Sequence, residues 1–101
     1  MVLGWSEQEF QDQVIAAAQT LGWRHFHTYD SRRSPSGWPD LVLVNVRQGR
    51  LLFRELKTEK GRVSAAQEVW LAHLSAVGQD AAVWRPRDWV SGRVQRELAG
   101  P

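Results

Sequence analysis

Three charged residues interrupt hydrophobic stretches of the sequence that are predicted to form strands. Asp40 precedes the apolar run at residues 41–44, whereas Glu55 and Lys57 flank Leu56. Residues i and i+2 of a strand point to the same face of the sheet, about 7 Å apart, so Glu55 and Lys57 share one face. Charged side chains are seldom buried without a partner, so this pattern predicts a functional site.

A hairpin between the two predicted strands would bring the acidic residues together. With a two-residue turn at residues 48–49, counting outwards places Asp40 opposite Lys57 and diagonal to Glu55. A longer turn would shift the pairing by a residue, and the groups would still converge. Two carboxylates at this separation repel each other unless a positive charge lies between them. A hard divalent cation, Mg²⁺ or Mn²⁺, suits this position because it takes oxygen ligands from carboxylates, water and phosphate.

Lys57 completes the predicted site, and it belongs to the small lysine minority among 13 basic residues. A compact ammonium can lie beside a scissile phosphate and can lose its proton when desolvated, which a guanidinium cannot. Phosphodiester hydrolysis requires a metal ion that polarises the phosphate, a water nucleophile and a cation for the developing charge. Taken singly, Asp40 is typical of a turn, and Glu55 with Lys57 is typical of a solvated strand edge. Their joint order and spacing favour a catalytic site, with Asp40 and Glu55 as metal ligands.

Two predicted helices could add residues to this site. Ser6 and Glu9 form a capping box at the start of the first helix, which occupies Glu9. Glu7 stays on the core-facing side of the helical wheel, so Glu7 is the better candidate for a third metal ligand. Gln67, near the start of the second long helix, could bond the substrate or orient Lys57.

The elements that must position these residues follow from hydrophobic periodicity and capping signals. In the second long helix, Val69, Trp70, Leu74 and Val77 recur at helical spacing and are predicted to face the core. The continuous apolar run at residues 41–44 indicates a strand buried on both faces. The predicted elements, in the order αβββαβα of an α/β fold, are a helix capped by Ser6 and ended by Gly22, strands at residues 23–29, 41–46 and 51–56, a helix from Ser64 to Gly78, a strand at residues 81–84 and a helix at residues 89–98.

Length and composition bound the class of protein. The 101 residues, of which 43% are hydrophobic and 24% charged, predict one soluble globular domain over residues 1–101. Cysteine is absent, which excludes disulfides and thiolate metal sites, and no apolar run approaches the roughly 20 residues that span a membrane. The first residues lack the basic and apolar regions of a signal peptide, so a cytoplasmic location is expected.

Basic residues in two polar loops are candidates for DNA contact. Arginine outnumbers lysine, and guanidinium groups match phosphate oxygens, although a GC-rich genome explains the bias equally well. Arg32 and Arg33 lie in the loop before the first acidic residue of the site, so we predict that they clamp a DNA phosphate; a solvated turn is the alternative. Lys60 and Arg62, in the second polar loop, are further predicted DNA contacts.

Histidines and tryptophans give weaker signals. His25 and His27 alternate on the first predicted strand, but a third zinc ligand at suitable spacing is missing, so a structural or substrate-side role is favoured. Trp5, Trp38 and Trp89 lie near the ends of elements. They are candidates for a dimer face or for a wedge that stacks on bases.

Four segments of the sequence carry a resemblance to a known family. They are Ser-Glu-x-x-Phe-Gln at residues 6–11, Gly-Trp-Pro-Asp at residues 37–40, Glu-Leu-Lys at residues 55–57, and Gln67 in the second long helix. In this order they resemble the PD-(D/E)xK nuclease superfamily, and more narrowly its VRR-NUC (virus-type replication-repair nuclease) branch. The chain looks like the small stand-alone members found in phages and bacteria.

The resemblance implies a restriction-endonuclease-like domain, with a mixed central sheet flanked by helices. It implies a Mg²⁺- or Mn²⁺-dependent endonuclease for structured or branched DNA such as Holliday junctions, acting as a homodimer. It further implies no small-molecule cofactor, no membrane partner, and a location in the cytoplasm of a bacterial cell or phage-infected host. Two alternatives stay open: a DNA-binding or assembly module that does not cleave, and a nuclease subunit that cuts only inside a larger replication or restriction complex.

Overall fold

A computed structural model of the protein describes residues 1–28 and 36–101. Over these ranges the order of helices and strands is the predicted one, except that a short 3-10 helix comes first and the last helix is divided. The elements are a 3-10 helix at Val2–Gly4, α1 at Glu7–Thr20, β1 at Arg24–His27, β2 at Leu41–Asn45, β3 at Arg50–Leu56, α2 at Ala65–Ala76, β4 at Asp80–Trp84, α3 at Pro86–Val90 and α4 at Arg93–Ala99.

The four strands form one mixed sheet in the order β1-β2-β3-β4. β2 pairs antiparallel with both β1 and β3. β3 and β4 pair in parallel, because α2 lies between them in the chain and carries it back to the starting edge. The predicted α/β class with a mixed central sheet is therefore confirmed.

The hydrophobic core lies on one face of the sheet, where α1 and α4 pack. In α1, Ser6 caps the first turn, and Phe10, Val14 and Ala18 form one buried stripe at helical spacing. The remaining members of this core, from the strands, α4 and the residue before β1, are Trp23, Leu41, Leu43, Leu52, Leu56, Trp84, Val94 and Leu98.

The opposite face of the sheet is only partly covered. In β2, Val42 is half-buried and Val44 is 39% exposed, so the prediction that this strand is buried on both faces is wrong. On the same face, the neighbouring strands expose Phe26 (63%) and Leu51 (38%). An apolar surface therefore continues across β1, β2 and the start of β3.

α2 lies over the β4 edge of this second face, and its packing differs from the prediction. None of its residues is buried, and Trp70 and Leu74 are half-buried. Val69 is 52% exposed and Val77 is 72% exposed, although both were predicted to face the core. The reason is that α2 packs mainly on β4, at the edge of the sheet, and leaves the centre open.

The turn between β2 and β3 is longer than predicted. Asn45 pairs with Arg50, and residues 46–49 form the turn, so the predicted two-residue turn at residues 48–49 is wrong. The Asn45 side chain accepts a hydrogen bond from the Gln48 backbone N–H (2.9 Å), which stabilises the wider turn. The register of the two strands is therefore shifted from the predicted one.

The predicted final helix at residues 89–98 is two helices, α3 and α4. Gly92 separates them, with φ at +83°. A residue in this left-handed conformation cannot continue a right-handed helix, so the chain changes direction there. No helix in residues 1–28 and 36–101 has the length and apolar character needed to cross a membrane.

Candidate active site

The loop before β2 fixes the position of the first acidic residue. Gly37 has φ at +86°, and a Cβ there would lie 2.4 Å from the Ala66 carbonyl carbon, so only glycine lets the loop touch α2. Trp38 makes edge-to-face contacts with Phe53 (5.8 Å between ring centroids) and with Trp70 (4.9 Å). Trp38 therefore anchors the loop between the sheet and α2, and it is not the free stacking surface that one interpretation of the sequence suggested.

The observed hairpin register places Asp40 beside Glu55. Leu41 pairs with Arg54, so the next residues outward on the two strands are Asp40 and Glu55. The Oδ2 atom of Asp40 accepts a hydrogen bond from the Leu56 backbone N–H (3.0 Å). This corrects the predicted pairing of Asp40 with the lysine, and it brings the two carboxyl groups closer than the predicted diagonal arrangement.

Glu55 is a buried carboxylic acid with an unusually high proton affinity. Its side chain is 2% exposed, and Gln67 Nε2 donates a hydrogen bond to its Oε2 atom at 2.9 Å. The other oxygen, Oε1, is buried and receives no N–H or O–H donor from residues 1–28 and 36–101. Burial, the nearby charge of Asp40 and a shared hydrogen bond with it raise the pKa of Glu55 to about 8, while Lys57 opposes the shift. The fold therefore favours a proton on this pair more than on a free carboxyl group.

Lys57 supplies positive charge to this pair. Its Nζ atom lies 3.7 Å from Glu55 Oε2, and its side chain is 15% exposed. The predicted shared face of Glu55 and Lys57 is therefore confirmed. The Lys57 backbone N–H donates to the Trp84 carbonyl (3.1 Å), which attaches the end of β3 to β4.

Gln67 connects α2 to Glu55. Its Nε2 atom donates to Glu55, and its Oε1 atom accepts from the Ser64 backbone N–H (2.8 Å). The Ser64 hydroxyl accepts from the Gln67 backbone N–H (3.2 Å), which completes a capping box. The amide therefore orients Glu55, and not Lys57 as one of the two predictions had it; the other prediction, a hydrogen bond to the substrate, stays a prediction.

The first turn of α1 contains two glutamates in different surroundings. Glu9 accepts a hydrogen bond from the Ser6 backbone N–H (3.0 Å), and its hydrogen bonds with Ser6 lower its pKa. Glu7 lies exposed at the rim of the site, where partial desolvation and then the charge of Asp40 raise its pKa, with Lys57 opposing. Glu9 therefore serves the cap, as predicted. Glu7 is exposed, so the predicted core-facing position is wrong, and its role as a metal ligand stays a prediction.

The predicted DNA contacts fall in two loops. Lys60 and Arg62 are exposed between β3 and α2. Lys60 borders a groove of about 520 Å³ that runs between residues 3–6 and residues 58–60, next to the first turn of α1. Arg32 and Arg33 lie outside the described residues, so the phosphate clamp stays a prediction.

His25 and His27 both lie on β1. Within residues 1–28 and 36–101, no group of three or more His, Cys, Asp or Glu side chains is arranged around a metal position. Desolvation lowers the pKa of His27, and the charge of Asp40 opposes this shift, so His27 lies near the carboxyl pair.

Trp5 and Trp89 pack against each other, with an edge-to-face contact of 5.7 Å between ring centroids. Both are partly buried against the hydrophobic core. They therefore hold α3 to the start of the chain, and they do not form the exposed dimer face or base-stacking wedge that the sequence allowed.

The carboxyl pair fits a divalent cation. Asp40 and Glu55 offer two oxygen donors, and Mg²⁺ typically uses one or two protein carboxylates together with water and phosphate. The buried Oε1 atom without a donor and the raised pKa of Glu55 both mark negative charge that the described residues leave uncompensated. The residues present therefore suit Mg²⁺ or Mn²⁺. Within residues 1–28 and 36–101, Glu7 does not join Asp40 and Glu55 in a cluster of three ligands, so its role as a third metal ligand stays a prediction.

Sequence reasoning gave no role to Gly37, although it sits three residues before Asp40. Its signal is the residue type itself, because glycine is used where a backbone takes positive φ or approaches another closely. Sequence reasoning also did not reveal the hydrogen bond from Gln67 to Glu55, because that contact depends on where α2 packs.

The mixed sheet, with the carboxyl pair and the lysine at the ends of β2 and β3, defines a restriction-endonuclease-like α/β fold. The chain is similar to the solved structure of Hjc, a Holliday junction resolvase from the archaeal hyperthermophile Archaeoglobus fulgidus. The TM-score is 0.54 and the sequence identity 26%, over 77% of this chain and 67% of that chain.

The chain belongs to the VRR-NUC domain family, whose family model matches residues 2–88. It is also similar to a Fanconi-associated nuclease 1 homolog from Schizosaccharomyces pombe, with 38% identity over 56 residues. That match covers 55% of this chain and 8% of the relative, so the chain spans a small part of that protein's length.

Proposed function

We propose that this protein is a divalent-metal-dependent endonuclease that hydrolyses phosphodiester bonds in branched DNA. The observation that carries the proposal is the carboxyl pair of Asp40 and Glu55, whose negative charge is incompletely balanced by Lys57 at 3.7 Å from Glu55. Membership of the VRR-NUC domain family and the likeness to a nuclease homolog support DNA cleavage. The likeness to a Holliday junction resolvase supports a branched substrate.

The chemistry would be a hydrolytic displacement at phosphorus. A bound Mg²⁺ or Mn²⁺ supplies polarisation of the scissile phosphate and activation of water. Water adds to phosphorus as one P–O bond to a sugar breaks, which leaves a phosphate on one strand end and a hydroxyl on the other. The Lys57 ammonium faces the charge that develops in this step, and Gln67 holds Glu55 in one orientation.

Basic side chains near the carboxyl pair would hold the DNA backbone. Lys60 and Arg62 are exposed in the loop that follows Lys57, so they are available to DNA phosphates near the site. We extend this role to Arg32 and Arg33 because they precede Asp40 closely in the sequence. Replacing these four residues should weaken DNA binding in a salt-dependent way and should leave metal binding unchanged.

A four-way junction offers two equivalent strands to cut, which suits a homodimer with two sites. The support in this chain is the uncovered face of the sheet, where Phe26 is 63% exposed, Val44 39% and Leu51 38%. This face also carries a groove of about 300 Å³ lined by residues 24–26, 42 and 44. An apolar patch can pair with its own copy about a two-fold axis, so we assign this face to a second copy of the chain.

The assembly can be tested with one variant and a matched control. Phe26→Asp should convert a dimer into a monomer in light scattering coupled to gel filtration. Val90→Asp, at a side chain of similar exposure (61%) on α3, should leave the dimer intact. A wild-type monomer at concentrations up to about 100 times those used for cleavage would refute the dimer.

The activity is tested by incubating the purified protein with a four-way junction, a flap and a linear duplex of the same sequence. Cleavage of the branched DNAs in Mg²⁺ or Mn²⁺, and none in EDTA, is the expected result. The Asp40→Asn protein serves as the control against a contaminating nuclease. Tight binding of all three DNAs without cleavage in any metal would identify a binding module instead.

A second candidate is a nuclease subunit that works inside a larger assembly. It is favoured by one observation, namely that the matching region makes up 8% of the Schizosaccharomyces pombe relative. Cleavage that appears only after addition of host extract, and that Asp40→Asn still abolishes, would establish this candidate and exclude autonomous activity.

A further inference from the structure

A guanidinium group holds the turn that directly follows Lys57. Arg85, the residue between β4 and α3, directs its Nη1 atom at three backbone carbonyls of this turn. Its distances are 2.8 Å to the Thr58 oxygen, 3.4 Å to the Glu59 oxygen and 2.7 Å to the Gly61 oxygen. One permanently charged donor therefore satisfies carbonyls at both ends of the turn.

The turn packs against the side chain of Lys57. The Gly61 backbone N–H donates to the Thr58 carbonyl (3.2 Å), which closes the turn. A Cβ added at Gly61 would lie 3.6 Å from the Lys57 Cδ atom, so the turn runs alongside the aliphatic part of the lysine. At the far end of that aliphatic part, Nζ lies 3.7 Å from Glu55 Oε2.

We propose that Arg85 is a positioning residue for Lys57. The Lys57 backbone N–H is hydrogen-bonded to the Trp84 carbonyl, and the turn after Lys57 is hydrogen-bonded to the side chain of Arg85, which follows Trp84 in the chain. Both attachments therefore come from the end of β4. With the guanidinium removed, the carbonyls turn to water, the turn opens, and the lysine gains alternative rotamers. The proposal rests on the proposed function, because it gives Lys57 a role in cleavage.

Arg87 provides a matched control because it contacts the same turn from outside. Its Nε atom donates to Glu59 Oε2 (2.8 Å), and its side chain is 60% exposed. Its Nη2 atom lies 3.4 Å from the Glu59 carbonyl oxygen, but within the described residues it does not reach the carbonyls of Thr58 and Gly61 at the two ends of the turn. Ion pairs exposed on one side contribute little, so Arg87→Ala should leave the turn closed.

Cleavage kinetics supply the first test. Arg85→Ala should lower kcat, measured at saturating DNA, about 10- to 100-fold, as expected for loss of a group that orients an active residue. Saturating DNA separates this effect from weaker binding through Lys60, which lies in the same turn. Arg85→Lys should recover part of the loss, and Arg87→Ala should match wild type. In a Lys57→Ala background, Arg85→Ala should cause no further loss of kcat, because its effect passes through the lysine. Additive losses, or equal losses in the Arg87 variant, would overturn the proposal.

Amide hydrogen exchange of residues 58–63 supplies a second test that needs no cleavage. Exchange there should become faster in Arg85→Ala and stay at the wild-type rate in Arg87→Ala, while the strands keep their protection. If Arg85→Ala fails to fold, Arg85→Lys gives the same comparison, because one ammonium reaches fewer carbonyls. A wild-type protein that cuts no DNA would refute the proposed function alone. Unchanged exchange in folded Arg85 variants would refute the positioning role alone.

Discussion

Two clusters of buried charge lie back to back on β3, at consecutive residues. Arg54 (1% exposed) points to the core side of the sheet, and Glu55 (2% exposed) points to the α2 side, because neighbouring strand residues face opposite ways. Burying either charge costs free energy unless an opposite charge or hydrogen bonds compensate it. The two clusters differ in how far this compensation goes.

On the Arg54 side, the charges are matched by partners within the fold. Arg54 Nη2 lies 2.8 Å from Asp80 and 2.9 Å from Glu97. Glu97 also accepts hydrogen bonds from the Trp84 indole (2.9 Å) and from Arg93 (2.6 Å). Burial tends to raise the pKa of Glu97, but the hydrogen bonds from Arg93 and Trp84 and the charge of Arg54 outweigh it, so the pKa is lowered. This cluster is a structural one.

On the Glu55 side, carboxylates outnumber positively charged groups among the described residues. Within residues 1–28 and 36–101, Glu55, Asp40 and the more distant Glu7 interact with the ammonium of Lys57, and the pKa of Glu55 is raised where that of Glu97 is lowered. The two faces of β3 therefore border carboxylates with opposite pKa shifts, Glu55 on the strand itself and Glu97 on α4. Where the described residues leave a buried carboxylate short of positive charge, a proton or a cation from outside can supply it, which distinguishes this cluster from the structural one.

The largest expected effect is the loss of cleavage when the uncompensated side loses a carboxylate. Asp40→Asn should slow cleavage of branched DNA more than about 100-fold, since even groups that only orient metal ligands are worth 10- to 100-fold. The melting temperature should hold, because the carboxamide oxygen can still accept from the Leu56 N–H. Asp80→Asn, on the matched side, is the control and should cut DNA at the wild-type rate. Full activity of Asp40→Asn in saturating Mn²⁺ would remove Asp40 from the site.

The second expected effect is a loss of stability on the matched side. Glu97→Gln leaves Arg54 with one carboxylate partner and should lower the free energy of unfolding by about 2 kcal/mol, measured by urea denaturation. The expected decrease in the free energy of unfolding is smaller than that for breaking a fully buried ion pair, because the Glu97 side chain is 28% exposed and Asp80 stays in place. The folded variant should still cleave DNA. A denaturation midpoint equal to that of wild type would show that the cluster does not stabilise the fold.

The third expected effect is a difference in the pH dependence of stability without metal. Because the pKa of Glu55 is raised from 4.5 to about 8, the folded chain keeps a proton that the unfolded chain releases between these values. Wild-type stability should therefore fall as pH rises through this window. The side chain in Glu55→Gln cannot ionise. In EDTA, the melting temperature of the variant minus that of wild type should therefore increase from pH 5 to pH 8, the window set by these two pKa values. Parallel melting curves across this range would argue against a buried proton on this side of β3.

The smallest expected effect separates the two glutamates of α1. Glu7→Gln should weaken Mn²⁺ binding about 10-fold in a calorimetric titration, since it removes a carboxylate at the rim of the uncompensated cluster. Glu9→Gln should bind Mn²⁺ like wild type, because Glu9 serves the helix cap. The reverse result would move the rim ligand to Glu9.

Local signals in the sequence predicted most of the fold. Ser6 was identified as a helix cap because Glu9, which completes its capping box, lies three positions later in the chain. Ser64 was predicted to begin the second long helix, and its capping box with Gln67 was not foreseen. The exposure of Val44 and Val77 was predicted wrongly, since burial depends on which distant element covers each face of the sheet. The sequence pattern reports that a side chain is apolar, and it does not report whether a neighbour covers it.

The candidate site follows the same division. Asp40, Glu55 and Lys57 were found because charges stand out in apolar strands, and the structure brings them together. Their register was missed because one side-chain hydrogen bond, from the Gln48 N–H to Asn45, widens the hairpin turn. Roles for the three residues in catalysis stay predictions, which the Asp40 variant addresses first.

The loop at residues 37–40 should tolerate few amino-acid substitutions. Each of these four consecutive residues is constrained by a different part of the fold. Gly37 is constrained by the α2 backbone, Trp38 by its ring contacts, Pro39 by burial and Asp40 by its hydrogen bond with β3. The constraints come from separate elements, so a change at one position cannot be rescued by a change at the next. A saturation mutagenesis screen scored by DNA cleavage should show an unbroken block of intolerance here, and free variation at Val46, which is 87% exposed only six residues later.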